Sequence, residues 1–273
     1  MLRSATAALK DSAEQPEREA QILLAHVLRT SRAFLLSDIT RVVDDESAAS
    51  FTALIARRAR GEPIAYITGS KEFWSMELRV TPATLIPRPE TETLVERALQ
   101  LIPANTPCRV ADLGTGSGAI ALAIAHERPQ AHVIATDQST AALDVARDNA
   151  QRLSIHNVEF RLGDWFDCLH GERFFIIASN PPYVAADDPH LQRGDLRFEP
   201  HSALTCGSTD DLAALRHIAD HSRHFLEPGG WLLLEHGYDQ SARVASLLEQ
   251  LGYHDIAAVA DLGGVLRVAL ARR

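Results

Sequence analysis

Residues 110–125 read VADLGTGSGAIALAIA, and this stretch decides the fold. An apolar run ends at Asp112, a loop carries Gly114, Thr115, Gly116, Ser117 and Gly118, and an Ala-rich helix begins. Glycines let the backbone turn sharply and let a ligand approach with no Cβ in the way. Strand, glycine loop and helix in this order form the nucleotide end of a doubly wound sheet. The next apolar run ends in ATDQS, which sets Asp137 19 residues past Gly118. A carboxylate there can accept from both hydroxyls of a ribose. The spacing Gly114-x-Gly116-x-x-Ala119 also matches the dinucleotide fingerprint, in which a helix N-terminus holds pyrophosphate.

Working outward, the pattern alternates. Strands are predicted at 108–112, 132–136, 157–161, 174–179, 230–235, 253–259 and 265–270, and helices at 118–127, 139–153, 210–225 and 239–250. Such alternation implies a mostly parallel sheet. Only ADLGGV separates the last two strands. That is too short for a helical crossover, so they should pair antiparallel. Residues 1–60 read as helices, with Pro16 in a first turn and a second helix from Glu46 to Arg60 stopped by Gly61. Residues 62–90 differ, and there GEPIAYITGS (61–70) and EFWSMELRV (72–80) read as a β-hairpin. TPATLIPRPET (81–91) bars regular helix until Glu90, where a linker helix runs to Leu101. The expected organisation is a helical substrate-recognition domain at 1–75, hairpin and linker at 76–107, and a catalytic sheet domain at 108–273.

Two further strand ends carry chemistry. After the third strand comes RLGDWFDCL, placing Asp164 and Trp165 at the sheet edge. Asp164 can accept from an exocyclic amine, and Trp165 can offer an apolar or stacking face. The fourth strand runs into Asn180-Pro181-Pro182-Tyr183. Each proline fixes φ and removes a donor, and Pro182 holds Pro181 extended. The loop therefore presents acceptors without competing N–H groups. The Asn180 side-chain oxygen and the Pro181 carbonyl can both accept from one planar NH2, with Tyr183 against its plane. Such a cradle suits methylation of an amide or exocyclic amine, because two acceptors orient the nitrogen and stabilise its developing positive character. Asp112 beside the glycine loop would repel pyrophosphate but suits the cationic amino-acid part of S-adenosylmethionine.

Composition narrows the partners. The chain has 273 residues, 27 Lys+Arg and 36 Asp+Glu, for a net charge of −9. Residues 1–80 hold 11 basic and 11 acidic side chains, so the remainder carries the whole excess. This argues against affinity based on phosphate neutralisation, and no direct nucleic-acid contact is expected. No apolar run approaches the ~20 residues of a membrane helix, and the N-terminus lacks a signal-peptide pattern. Cys108, Cys168 and Cys206 are odd in number and far apart, as in a reduced, cytoplasmic protein without a zinc site. His217, His221 and His224 share a helical face, but no Cys or paired carboxylate accompanies them, so a solvated face is expected and no metal.

IPRPETETLVERAL (86–99), DLGTGSGAIALAIA (112–125), GDWF (163–166), NPPYV (180–184), RFEPHSAL (197–204) and LEPGGWLLLEHG (226–237) together resemble the release factor glutamine methyltransferases, the HemK/PrmC family. The likeness covers about residues 62–270. It implies a Rossmann-like class I methyltransferase sheet ending in an antiparallel hairpin. It also implies methyl transfer from S-adenosyl-L-methionine, leaving S-adenosyl-L-homocysteine, to the glutamine amide in the GGQ motif of bacterial class I peptide chain release factors 1 and 2. By position, Gly114–Gly118, Asp137, Asp164, Trp165 and Asn180 would bind cofactor. Asn180, Pro181, Pro182 and Tyr183 would bind the glutamine, with Asn180, Pro181 and Tyr183 catalytic. The sequence departs from the family pattern at Phe175, Asp211 and Leu266. Arg88 and Glu90 are candidates for the substrate entrance, and Glu199 has no assigned role. Three alternatives are weighed: a non-catalytic binding protein on the same fold, which the intact glycine loop together with Asn-Pro-Pro-Tyr counts against, the sister activity on a ribosomal protein glutamine, and an adenine-N(6) DNA methyltransferase. The last would need a target-recognition insert and a basic cleft.

Overall fold

The computed structural model describes residues 1–38, 40 and 42–273. The chain divides into two compact units. One comprises Met1–Ser70 with Pro189–Phe198, and the other Lys71–Asp188 with Glu199–Arg273.

The helical unit contains α1 (Leu2–Ala8), α2 (Pro16–Val27), α3 (Arg32–Ser37), α4 (Asp45–Ala59) and α5 (Ile64–Thr68). Pro16 opens α2, where its missing N–H is no loss. Ser31 and Asp44 cap α3 and α4 by accepting from Phe34 N and Ser47 N. Ala20, Leu23, Leu24, Leu35, Phe51, Ile55 and Ile67 close its core. The expected strand at IAYIT is instead α5. Pro63 starts it, Gly69 ends it at φ 75°, and Ala65, Tyr66 and Ile67 are buried. A five-residue helix is too short to show a period, so β-branched composition misleads there. The boundary expected at residue 75 falls inside the hairpin that follows. The unit also takes in Pro189–Phe198, where Asp195 pairs with Arg58, itself buried and bonded to Glu19.

A hairpin follows, β1 (Ser70–Phe73) and β2 (Met76–Arg79). Trp74 and Ser75 both sit at positive φ, 52° and 58°, as a two-residue hairpin turn requires. After it come α6 (Glu92–Leu101), β3 (Arg109–Leu113), α7 (Ala119–Glu127), β4 (His132–Asp137), α8 (Thr140–Arg152), β5 (Val158–Leu162), β6 (Phe174–Ser179), α9 (His201–Leu204), α10 (Ala213–Phe225), β7 (Leu226–Glu235), α11 (Ser241–Gln250), β8 (His254–Ala260) and β9 (Leu266–Arg272). The seven-stranded sheet has the order β5-β4-β3-β6-β7-β9-β8. β9 runs antiparallel to both β7 and β8, as the short ADLGGV connection requires.

Both faces of the sheet are covered, so its central strands read as nearly continuous apolar runs. Val110, Ile176 and Leu233 face a core shared with α6, α7 and the hairpin. Ala111, Leu113, Ile177 and Leu234 face the opposite core with α10 and α11. No helix among the described residues is long and apolar enough to cross a membrane.

Candidate active site

In parallel register Leu113 lies opposite Thr136 on one side and Ser179 on the other, and Ser179 lies opposite Leu234. The residues that follow are Gly114, Asp137, Asn180 and Glu235. Four neighbouring strands thus deliver them at one level of the C-terminal edge. Strand order reverses between β3 and β6, which makes this the switch point where doubly wound sheets bind ligands. The glycine loop leaves β3 and the Asn-Pro-Pro-Tyr loop leaves β6, so the two sequence signals meet there.

The backbone itself holds the glycine loop. The N–H groups of Gly114 and Thr115 donate to Thr136 O, both at 2.9 Å. Asp137 accepts from Gly116 N at 2.9 Å on one oxygen and from Ser139 N at 2.9 Å on the other. Each oxygen keeps a lone pair for a further donor. Burial raises the Asp137 pKa, and the two N–H donors hold it down. Gly118 sits at φ 86°, and a Cβ there would come within 3.0 Å of Leu122.

Asp112 has a different place from the one expected. It is fully buried and does not line the cleft. Strand alternation turns it toward α7 with Val110, where one oxygen accepts from Thr115 Oγ1 at 2.6 Å and from Ala121 N at 3.1 Å. Gly118, at the N-cap of α7, has no side chain to offer. Asp112 supplies that missing acceptor from the preceding strand. Its other oxygen is buried without a partner, and burial pushes its pKa up to about 7.

A cleft of about 960 Å³ opens over this edge. Gly114, Thr115, Gly116, Ser117, Asp137, Asp164, Trp165, Asn180 and Pro182 line it, so it brings most of the expected site residues together. Trp165 adopts φ 46°, a left-handed backbone that costs a bulky side chain. Thr136 Oγ1 donates to its carbonyl at 3.1 Å. Its ring lies over the glycine loop, 3.3 Å from where a Cβ on Gly114 would stand.

Ser179 donates to Leu113 O at 2.7 Å, tying the end of β6 to that of β3. The Asn180 amide donates through Nδ2 to Thr91 Oγ1 at 3.1 Å. Its Oδ1 is thereby set as an acceptor. Pro181 is buried, and neither it nor Tyr183 belongs to the cleft wall. The Tyr183 hydroxyl donates to Glu235 Oε1 at 3.2 Å, and burial together with that carboxylate raises the phenol pKa.

Sequence reasoning missed part of the wall. Ala83, Thr84, Leu85, Pro87 and Thr91 line the cleft from the segment read as a linker, and Ser202 and Ala203 line it from α9. Arg88 is also in the wall, whereas Glu90 is not. Arg88 pairs with the buried Glu199, which also accepts from Ile86 N at 3.3 Å. Glu199 thus fixes the proline-rich wall. Closely spaced prolines signal a rigid segment, but not what it packs against. Thr91 carried no local signal.

Among the departures, Asp211 is compensated. It accepts from Gln240 Nε2 at 2.9 Å and pairs with Arg243 at 2.6 Å, while Gln240 also donates to Tyr183 O at 2.9 Å. Phe175 is half-buried against the core, and Leu266 is exposed. The histidines of α10 are exposed, and His217 and His221 stack with ring centroids 4.2 Å apart.

Comparison with known proteins agrees with this geometry. Residues 1–69 match the family model described as the PrmC N-terminal domain, and residues 91–194 match the methyltransferase small domain. A solved methyltransferase from Pyrococcus furiosus is 17% identical and superposes with a TM-score of 0.56 over 80% of this chain and 96% of its own. That likeness speaks for the fold. The release factor glutamine methyltransferase of Xylella fastidiosa (strain 9a5c) is 52% identical over 270 residues, 98% of both chains. That of Escherichia coli (strain K12) is 49% identical over 99% of this chain and 97% of its own. With half its residues shared over nearly its whole length, and a methyltransferase sheet bearing Asn-Pro-Pro-Tyr at the switch point, the chain belongs to the release factor glutamine methyltransferase family.

Proposed function

We propose that this enzyme transfers a methyl group from S-adenosylmethionine to the side-chain amide nitrogen of the GGQ glutamine in class I peptide chain release factors 1 and 2. One observation carries the reading. Asp137 and Asn180 stand at one level across the switch point, and the Asn180 amide is turned by Thr91 so that its oxygen accepts.

The residues present fit the cofactor. Asp137 keeps a lone pair on each oxygen for the ribose hydroxyls, Asp164 serves the adenine amine, and Trp165 covers the glycine loop. The loop is open to close approach at Gly116, where nothing lies within 4 Å of a Cβ built on it. When bound, S-adenosylmethionine supplies an activated methyl, so neither metal nor covalent nucleophile is required.

The chain's own work is orientation. Asn180 Oδ1 and the Pro181 carbonyl accept the two N–H bonds of the glutamine amide, aiming its nitrogen at the methyl carbon. A nitrogen–carbon bond forms as the sulfur–carbon bond breaks. The two acceptors offset the positive charge that develops on nitrogen, which then releases one proton to solvent water as the neutral thioether leaves. The helical unit supplies contact area for the protein substrate, because one glutamine side chain offers far less than the ~1,600 Å² of a standard interface. Label from S-adenosylmethionine, offered with release factor, ribosomes and DNA, should appear on the release factor glutamine alone. Label on ribosomal protein or DNA would overturn the substrate assignment.

A further inference from the structure

LEHG at 234–237 stands within the resemblance without a role, and its Glu235 is a buried titratable group bonded to the loop at 180–183. It ends β7 at the level of Asn180, with 1% exposure. One oxygen accepts from the Tyr183 hydroxyl at 3.2 Å, and the other is buried without a partner. The Thr91 hydroxyl acts on the same carboxyl. Thr91 Oγ1 already accepts from Asn180, so its own proton must point elsewhere. The Tyr183 hydroxyl, bonded to Glu235, and the Thr91 hydroxyl, bonded to Asn180, therefore both bear on one carboxyl group.

We propose that Glu235 is a positioning residue: as a carboxylate it holds the Thr91 and Tyr183 hydroxyls as donors, and so fixes the Asn180 amide with Oδ1 toward the reacting nitrogen. This deepens the glutamine reading and rests on it only for the identity of the substrate. The physical argument is one of proton direction. A carboxylate accepts only, so Thr91 must donate to it and accept from Nδ2 of Asn180. A protonated Glu235 carries a competing donor and releases that order.

The surroundings set where the switch falls. Burial, with a smaller push from Glu90, raises the Glu235 pKa to about 7 against the Thr91 and Tyr183 hydroxyls and Arg267, which all lower it. Burial lowers the pKa of His236, the next residue, whose Nδ1 lies 2.9 Å from Gly237 O. Arg88 and Arg267 act on Tyr183 from the other elements packed there. Activity should therefore fall as pH drops below about 7.

The test compares wild type with Glu235→Gln, which keeps the volume but cannot accept at both oxygens. Three quantities are read: turnover against pH, S-adenosylmethionine affinity by calorimetry, and the Asn180 side-chain amide signal by NMR, assigned through its loss in Asn180→Asp. Wild type should show an acid limb near neutral pH and an Asn180 amide that titrates with it. Glu235→Gln should lose ~10–100-fold in kcat, keep cofactor affinity within about twofold, and show neither titration. A Tyr183→Phe and Glu235→Gln pair should be non-additive. Unchanged kcat and pH profile in Glu235→Gln would overturn the proposal, as would an Asn180 amide that titrates equally in both proteins. A wild type that leaves release factor unlabelled would overturn the substrate reading alone, since the NMR titration decides Glu235 without a substrate.

Discussion

Asn180 shows how chemistry follows from one fixed torsion. With Nδ2 committed to Thr91, only Oδ1 is left to face the cleft as an acceptor. Asn180→Ala should lower turnover by ~10²–10³ while S-adenosylmethionine affinity changes far less, because the lost contact matters most as charge develops. Near-normal turnover in that variant would refute the cradle. Asp112 makes a different prediction. Its pKa is raised from 3.8 to about 7 in the folded chain. A raised carboxyl binds more protons when folded, so its contribution weakens as pH climbs from about 4 to about 7. Asp112→Asn removes that slope. Thermal scans of cofactor-free protein should therefore favour the variant more at pH 8 than at pH 5, by on the order of a few kcal/mol. Equal differences at both pH values would show that Asp112 is not perturbed. The sequence revealed the residue types at strand ends, because strands alternate and turns need glycine or proline. It did not reveal that Asp112 points under α7, since the same parity serves a ligand or a helix cap.

At the scale of elements, β3, β4 and β6 were legible from apolar runs closed by chemistry-bearing residues. What joins them was not. Asn149 of α8 is fully buried, and its side chain accepts from Arg79 N at 2.7 Å and donates to Arg79 O at 3.0 Å and Ser117 O at 2.9 Å. One amide thus ties the hairpin to the glycine loop. Its partners lie 70 and 32 residues away, so no local pattern could announce them. Asn149→Ala would strip the Arg79 N–H, the Arg79 carbonyl and the buried Ser117 carbonyl of their partner, and the buried carbonyl alone is worth ~1–3 kcal/mol. A lowered urea midpoint with an unchanged m-value is the expected result, together with weaker S-adenosylmethionine binding through a loosened Ser117. A stable variant with full affinity would show that the loop stands without this tie. The proline-rich wall makes the same point, since Glu199 reaches it from a segment more than a hundred residues away.

For the whole molecule, alternation and charge balance separated a helical N-terminal part from a sheet that carries the chemistry. The segment Pro189–Phe198 escaped that division. It lacks periodicity, and its membership of the helical unit rests on long-range bonds such as Arg58 to Asp195. Deleting residues 1–69 would strip that segment of its partners, so point substitutions test the unit's role more cleanly. Phe34, Leu36 and Val42 are 52%, 43% and 90% exposed, in a part of the chain whose charges balance. Apolar side chains held in water on such a surface are what a protein partner would cover. If the helical unit grips the release factor, Phe34→Asp combined with Val42→Asp should raise KM for the intact factor by ~10-fold or more, as expected when two apolar anchors are lost. kcat at saturation should hold, because the cleft is untouched, and a short GGQ peptide should be methylated equally by both proteins. Unchanged KM for the intact factor would remove these residues from the interface. A matching loss on peptide and intact factor would mean that the substitutions disturb the catalytic sheet, and the role of the helical unit would then be to stabilise it.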